Sequence, residues 1–217
     1  MNIETSSRSE MLRRIRAANG GASDGQAVRS GWDALARNYK CNGTRGPEAR
    51  LQLLEGRLRD YDAAVSRSDR ENLALNVARR LKERGVERTV IPVGFTAEWL
   101  PDGLDFVVDQ GMTTAELDAF DGVLTEATVA IAETGTVVLQ NIPGQGRRSM
   151  SLVPDYHLCL VWIGNVVETV PEAMSLLQSK AALPTTFISG PSATADIEMT
   201  RIKGVHGPRI LDVILFD

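Results

Sequence analysis

Short runs of β-branched and other apolar residues alternate with amphipathic helical patterns through most of this 217-residue chain. Residues 88–95 (RTVIPVGF) form one such run, whereas Leu73, Val77 and Leu81 recur at the four-residue spacing of a helix face. Continuous apolar runs are typical of strands whose two faces are both covered by helices. The alternation therefore predicts an α/β domain built on a mostly parallel sheet flanked by helices.

The remaining elements follow from similar patterns. Three Ser/Thr-x-x-Glu patterns predict capped helix starts at Ser68 with Glu71, Thr113 with Glu116 and Thr169 with Glu172. A further helix is predicted from Pro47, because Leu51, Leu54 and Leu58 share one face. Further strands are predicted at residues 61–65, 104–108, 136–139, 158–162, 165–167, 186–189 and 211–216.

The N-terminal part has a different composition. A short amphipathic helix is predicted near the start, and residues 20–47 are rich in Gly, Ser, Asn and Asp with few apolar side chains. We therefore expect a helical extension over residues 1–46 and an α/β domain over residues 47–217.

Charge and cysteine content exclude several classes of function. The net charge of −4 provides no basic field for nucleic acid. Cys41 and Cys159 are too few to hold an iron–sulfur cluster or a four-cysteine zinc site, and no disulfide framework is expected. No apolar run reaches the roughly 20 residues of a membrane span. The chain lacks the glycine-rich dinucleotide fingerprint and the Walker A motif. These features favour a cytoplasmic protein without a Rossmann-type nucleotide site.

The segment AIAETGT places Glu133, Thr134 and Gly135 at the end of an apolar stretch. Ligands bind at strand ends in open α/β sheets, and a carboxylate there can act as a nucleophile or general base. A structural role, in which Glu133 only caps neighbouring amides, fits the sequence equally well.

A second segment, ISGPSATADIE, runs from a strand into a rigid turn followed by hydroxyls and carboxylates. Such a turn can bind an anion at exposed amides, although an ordinary capped turn has the same pattern. The candidate ligand-binding residues in this segment are Gly190, Ser192, Thr194, Asp196 and Glu198.

Two loops add further candidates. His206, next to Gly207, lies among glycines and a proline, where a histidine of near-neutral pKa can carry a proton or simply bind a turn carbonyl. Arg147 follows a flexible Pro-Gly-Gln-Gly loop and can clamp an anion, unless the loop is only an exposed hairpin. His157, at the start of a strand, is interpreted as structural. No metal site is predicted, because the two histidines lack converging ligands.

Taken in order, AIAETGTVVLQ, the arginine loop, SLVPDYHLCLV, GPSATADIE and GVHGPRILDVILFD closely resemble the lactate utilisation protein C family, also called the LUD domain. The match runs from Thr128 to the C-terminus and extends more weakly over residues 47–121. It implies a fold like that of glucosamine-6-phosphate deaminase, ribose-5-phosphate isomerase and the CoA transferases. Many relatives have arginine where this chain has Ala193. If that arginine binds an anion in the family, this protein must use Arg147, Arg201 or Arg209 instead, or bind a different ligand.

The resemblance implies a component of an L-lactate oxidation system that is not itself the cluster carrier. Its expected partners are iron–sulfur subunits and a small anionic ligand bound at the strand ends, and a homo-oligomer is also compatible. Two alternatives agree with the same residues. One is a CoA transferase-like enzyme with Glu133 as nucleophile, and the other is a ligand-sensing or partner-binding module without turnover.

Overall fold

The structure, a computed structural model, describes residues 7–20, 24–194, 202–203 and 207–217. Of residues 194 and 202–203 only the backbone is described. Its α-helices are α1 (Ser7–Ala18), α2 (Gly25–Asp33), α3 (Pro47–Asp60), α4 (Leu73–Glu83), α5 (Thr114–Asp118) and α6 (Val170–Leu177). Its strands are β1 (Ala64–Ser68), β2 (Arg88–Ile91), β3 (Asp105–Val108), β4 (Gly122–Glu126), β5 (Val129–Ile131), β6 (Thr136–Gln140), β7 (Tyr156–Trp162), β8 (Val166–Val167), β9 (Thr185–Ile188), β10 (Ala193–Thr194), β11 (Ile202–Lys203) and β12 (Ile210–Phe216).

The main sheet has six strands in the order β1-β12-β7-β4-β2-β3, and every neighbouring pair is parallel. Alternate residues of its central strands enter two apolar layers. Leu158 and Ile214 pack with helix α4 on one face, and Cys159 and Val213 pack with helix α3 on the other. The predicted α/β domain with a mostly parallel sheet and flanking helices is confirmed.

A second sheet of four strands, in the order β8-β5-β6-β9, was not predicted. Strand β6 is antiparallel to β5 and β9, whereas β5 and β8 are parallel. The first strand of this small sheet, β5, follows β4 in the chain. The buried Ala130 and Val137 of the small sheet belong to the same apolar cluster as Leu54 of α3 and Val213 of β12. The small sheet and α3 therefore cover one face of the main sheet together.

Two of the three predicted helix caps are confirmed. Thr113 with Glu116 and Thr169 with Glu172 form capping boxes in which side chain and backbone bond reciprocally. The Ser68–Glu71 cap was wrong, because Ser68 is the last residue of β1. Asp69 accepts a hydrogen bond from the Asn72 amide (2.7 Å) instead, and α4 begins one residue later.

The chain forms two compact units, one ending at Tyr39 and the other beginning at Lys40. In the first unit, α1 and α2 contain no buried residue, and α2 occupies part of the segment expected to be a loop. The compact α/β unit thus begins before the expected boundary at Pro47. Within the described residues, no helix is long and apolar enough to cross a membrane.

The fold predicts a strong dependence of stability on Asp212. Its fully buried carboxylate accepts two hydrogen bonds from Arg84 (2.7 and 3.0 Å) and one from the Tyr156 hydroxyl (3.2 Å). Asp212→Asn should lower the free energy of unfolding by about 2 kcal/mol or more, because it leaves the guanidinium without its charged partner. Asp105→Asn, which breaks an exposed pair with Arg88, should cost less than about 1 kcal/mol. Urea unfolding measures both, and equal losses would contradict the prediction.

Candidate functional site

A cavity of about 300 Å³ lies between strand β9 of the small sheet and the first residues of β7 and β12 in the main sheet. The loop after Arg147 and the turn after β9 complete its walls. Its polar lining includes Arg148, Ser151, His157, Ser189 and Ser192. The cavity thus lies at the amino ends of β7 and β12 and at the carboxyl end of β9.

The turn after β9 has its shape fixed by close packing. Gly190 has a φ of +85°, and a Cβ atom there would lie 2.6 Å from the Tyr61 Cβ, so only glycine fits. Two residues on, the Ser192 amide donates to the Pro208 carbonyl (2.8 Å). This bond joins the turn to the segment that leads into β12. Gly190, Ser192 and Gly207, which lie in separate sequence motifs, therefore meet at one cavity.

His157 is the most deeply buried polar residue of the cavity, with 1% of its surface exposed. Its Nε2 lies 2.8 Å from the Thr125 hydroxyl on the neighbouring strand β4. Its Nδ1 is buried and has no hydrogen-bond partner within the described residues. Burial lowers the pKa of His157 to about 4, so the imidazole is neutral at pH 7. The sequence analysis, which interpreted His157 as structural, did not reveal this unpartnered nitrogen.

The two consecutive arginines have different environments. The Arg147 guanidinium bonds Asp109 through two nitrogens (2.7 and 3.0 Å) and also contacts the Met112 carbonyl. Arg148 lines the cavity, and its guanidinium has no partner in the part of the chain that the structure describes. Of the two arginines, Arg148 thus lines this cavity and Arg147 does not, and the role predicted for Arg147 stays a prediction.

The Glu-Thr-Gly turn lies beside the cavity and is connected to it by hydroxyls. The Thr136 hydroxyl lies 2.6 Å from that of Thr134 and 2.8 Å from that of Ser189, which lines the cavity. Gly135, with a φ of +59°, packs against the backbone of Arg57, where a Cβ would lie 2.8 Å from the carbonyl carbon. Glu133 itself does not line this cavity; its carboxylate accepts a hydrogen bond from Lys40 Nζ (2.8 Å).

Residues 40–45, called here the Lys40 strap, are bound by a buried carboxylate that the sequence did not reveal. The Glu168 side chain is 1% exposed. It accepts hydrogen bonds from Lys40 Nζ (2.6 Å), Arg45 Nη1 (2.8 Å) and the Thr44 and Arg45 amides (2.9 and 2.7 Å). Lys40 and then the Arg45 amide lower the pKa of Glu168 to about 2. Glu168 is thus ionised throughout the physiological range and anchors the strap.

Several predicted residues lie outside the described part of the chain, namely Asp196, Glu198 and His206. Thr194 is described only as backbone, in β10. Within the described residues, no group of three or more His, Cys, Asp or Glu side chains could hold a metal ion. The roles predicted for Glu133, Thr134 and Gly135 stay predictions.

The fold and the cavity define a mixed α/β domain with a small sheet packed on one face of a parallel sheet. A family model described as the LUD domain matches residues 74–216. A crystal structure of a DUF162 family protein from Deinococcus radiodurans superposes with a TM-score of 0.71 and 36% identity, covering 80% of this chain and 100% of that chain.

Two named relatives extend the comparison. The chain is 41% identical over 175 residues to lactate utilization protein C of Deinococcus radiodurans, an alignment that covers 78% of this chain and 82% of that protein. It is 32% identical over 194 residues to lactate utilization protein C 1 of Bacillus mycoides, covering 81% and 82%. The chain belongs to the LUD domain family, which confirms the resemblance predicted from its sequence motifs.

The strap predicts a specific acid dependence of stability. Because the folded pKa of Glu168 is about 2 and its ordinary value is 4.5, its contribution is fully present above pH 4.5 and is lost as the pH falls towards 2. Glu168→Gln should therefore lower the melting temperature at pH 7, and the difference from the wild type should shrink below pH 4.5. Thermal unfolding between pH 7 and 3 measures this, with the exposed Glu71→Gln as control. A difference that stays constant over this range would exclude the assigned role.

Proposed function

We propose that this protein is a component of an L-lactate utilisation system and that it binds a small anionic ligand in the cavity between the two sheets. Support for the pathway comes from the relatives, which are named for lactate utilisation. Support for the ligand comes from one observation above all. Arg148 lines the cavity, and its guanidinium has no partner in the described part of the protein.

The side chains that line the cavity favour a ligand with a carboxylate group. A guanidinium presents two parallel N–H groups that match the two oxygens of a carboxylate. The hydroxyls of Ser189 and Ser151 lie in the same lining, and the Ser151 hydroxyl donates to the Arg148 carbonyl (3.2 Å), which ties the arginine loop to the cavity wall. A volume of about 300 Å³ is at the lower end for small-molecule sites, so the ligand is a metabolite of a few carbon atoms.

The electrons of lactate oxidation require a partner. Conversion of a hydroxy acid to an oxo acid releases two electrons and two protons, and iron–sulfur clusters usually need four cysteine thiolates each. This chain has two cysteines, of which Cys159 is buried and Cys41 exposed. We therefore infer that iron–sulfur subunits accept the electrons and that this protein is a non-cluster component that supplies a ligand site.

A covalent role for Glu133, as in a CoA transferase, is the less favoured alternative. Its carboxylate is 38% exposed, as an attacking group requires, but Lys40 holds one of its oxygens and the cavity lining does not include it. Incubation with acyl-CoA thioesters and borohydride, followed by peptide mass analysis, tests this role. An unmodified Glu133 peptide would remove it.

Arg148→Gln is the direct test of the proposed site. The variant should lose the thermal stabilisation that L-lactate or pyruvate gives the wild type, because it lacks the charged partner of the carboxylate. A ligand at one hundred times its dissociation constant should stabilise the fold by about 2.7 kcal/mol, which a thermal-shift assay detects easily. Arg79→Gln, an exposed change on α4 away from the cavity, is the matched control.

The same variants test the role in the cell. In the native host, deletion of the gene should abolish growth on L-lactate and spare growth on glucose. The Arg79 variant should restore growth on lactate, and the Arg148 variant should not. Normal growth of the deletion strain on lactate, in a strain without another lactate dehydrogenase, would overturn the proposed function.

A further inference from the structure

His157 carries a buried hydrogen-bonding atom for which the fold provides no partner. A buried polar nitrogen without a hydrogen bond costs free energy, so such atoms usually have a structural water, an ion or a ligand beside them. His157 lines the same cavity as Arg148. The cavity is therefore the place from which a partner can reach Nδ1.

The other ring nitrogen belongs to a short chain of groups that can each donate and accept. Nε2 lies 2.8 Å from the Thr125 hydroxyl, and that hydroxyl lies 3.8 Å from the Cys159 sulfur. Cys159 is completely buried, and burial raises its thiol pKa to about 12, so the thiol keeps its proton. The imidazole, the hydroxyl and the thiol can therefore each act as donor or as acceptor in this chain of hydrogen bonds.

This chain has two self-consistent arrangements. In one, the Cys159 thiol donates to Thr125, Thr125 donates to Nε2, and the proton of the neutral imidazole is on Nδ1. In the other, every bond is reversed, so Nε2 donates to Thr125, Thr125 donates to the sulfur, and Nδ1 has a free lone pair. Both satisfy Nε2, so the Thr125 contact does not fix the tautomer of His157.

We propose that His157 Nδ1 binds the ligand either as a donor or as an acceptor, and that the cavity therefore accepts both the hydroxy and the oxo form of a short 2-substituted carboxylate. This inference rests on the proposed function, in which Arg148 holds the carboxylate. The hydroxyl of a 2-hydroxy acid donates to Nδ1 in the arrangement that leaves the Nδ1 lone pair free. The carbonyl of a 2-oxo acid accepts from Nδ1–H in the arrangement that places the proton on Nδ1.

The neutral state of His157 is what makes the reversal possible. A protonated imidazole has two N–H donors and no acceptor, so it could not accept a hydrogen bond from the hydroxyl of a 2-hydroxy acid. Burial among apolar residues lowers the pKa of His157 to about 4, so the ring is neutral in the cell. A site of this kind discriminates little between substrate and product of a two-electron oxidation.

The test observes the tautomer directly. The full-length protein is labelled with 15N-histidine, and long-range 1H–15N correlation spectra at pH 7 are recorded without ligand, with L-lactate and with pyruvate. The chain has two histidines, so His157→Asn identifies the His157 signals by their loss. Nδ1 should be unprotonated with lactate and protonated with pyruvate. The same ring protonation with both acids, or unchanged His157 signals, would overturn the proposal.

Affinity measurements give a second readout. Calorimetric titration should show wild-type dissociation constants for L-lactate and pyruvate within about tenfold of each other. His157→Leu should weaken both by roughly fivefold or more, whereas His157→Asn, whose amide can donate and accept, should retain most of the affinity. A wild type that binds neither acid, or a Leu variant that binds both normally, would sink the inference. The proposed function would then still be decided separately, by growth of the Arg148 variant on lactate.

Discussion

The contact between the small four-stranded sheet and one face of the parallel sheet organises the rest of the molecule. Ala130, Val137 and Leu139 of the small sheet form one buried layer with Leu211 and Val213 of the main sheet, and α3 completes it. Burial of this layer provides much of the free energy of folding, since each fully buried aliphatic side chain contributes roughly 1.5–3 kcal/mol. It also brings β9 over the starts of β7 and β12, and the cavity is the space left between them.

The same layer explains the buried polar groups around the site. Where this buried layer meets the loops, hydrogen bonds from side chains replace the backbone hydrogen bonds of the sheets. Gln145 accepts from the Gln140 amide (2.7 Å) and the Thr128 hydroxyl (2.8 Å), and Thr136 bonds Ser189. Such satisfied polar groups fix one packing arrangement, because any shift would leave several of them unpaired. Six buried side-chain atoms have no hydrogen-bond partner within the described residues, and of the residues that carry them His157 is the one that lines this cavity.

The sequence predicted most helices and strands, because apolar periodicity and capping patterns are local. Thr169 and Glu172 lie three residues apart, so their cap is readable directly. Three of the four strands of the second sheet were predicted, but their association into a separate sheet was missed, because nothing within a short strand such as β5 states which strand will pair with it. Strand pairing between distant segments is decided by the packing of the whole chain.

Some of the candidate residues lie close together in the structure. Gly190, Ser192 and Gly207 meet at the cavity, and their roles in ligand binding stay predictions. The sequence does not show which of Arg147 and Arg148 lines the cavity, because two neighbouring loop residues of the same type differ only in the direction of their side chains. The importance of His157 depends on the register between β4 and β7, which puts Thr125 beside its Nε2. The role of Glu168 depends on Lys40 and Arg45, more than a hundred residues away.

The position of β12 in the main sheet has a consequence for how the protein reaches this structure. Residues 64–68 of β1 have one neighbouring strand in the described sheet, and that neighbour is residues 212–216 of β12. During synthesis, β1 and the apolar face of α3 must therefore wait for nearly the whole domain to leave the ribosome before they can pair. Pairing between segments so distant in the chain is slow, because the entropy of closing a long loop is lost before any stabilising contact forms. Nascent chains of this protein should consequently be among those that depend on chaperone protection until β12 has left the ribosome.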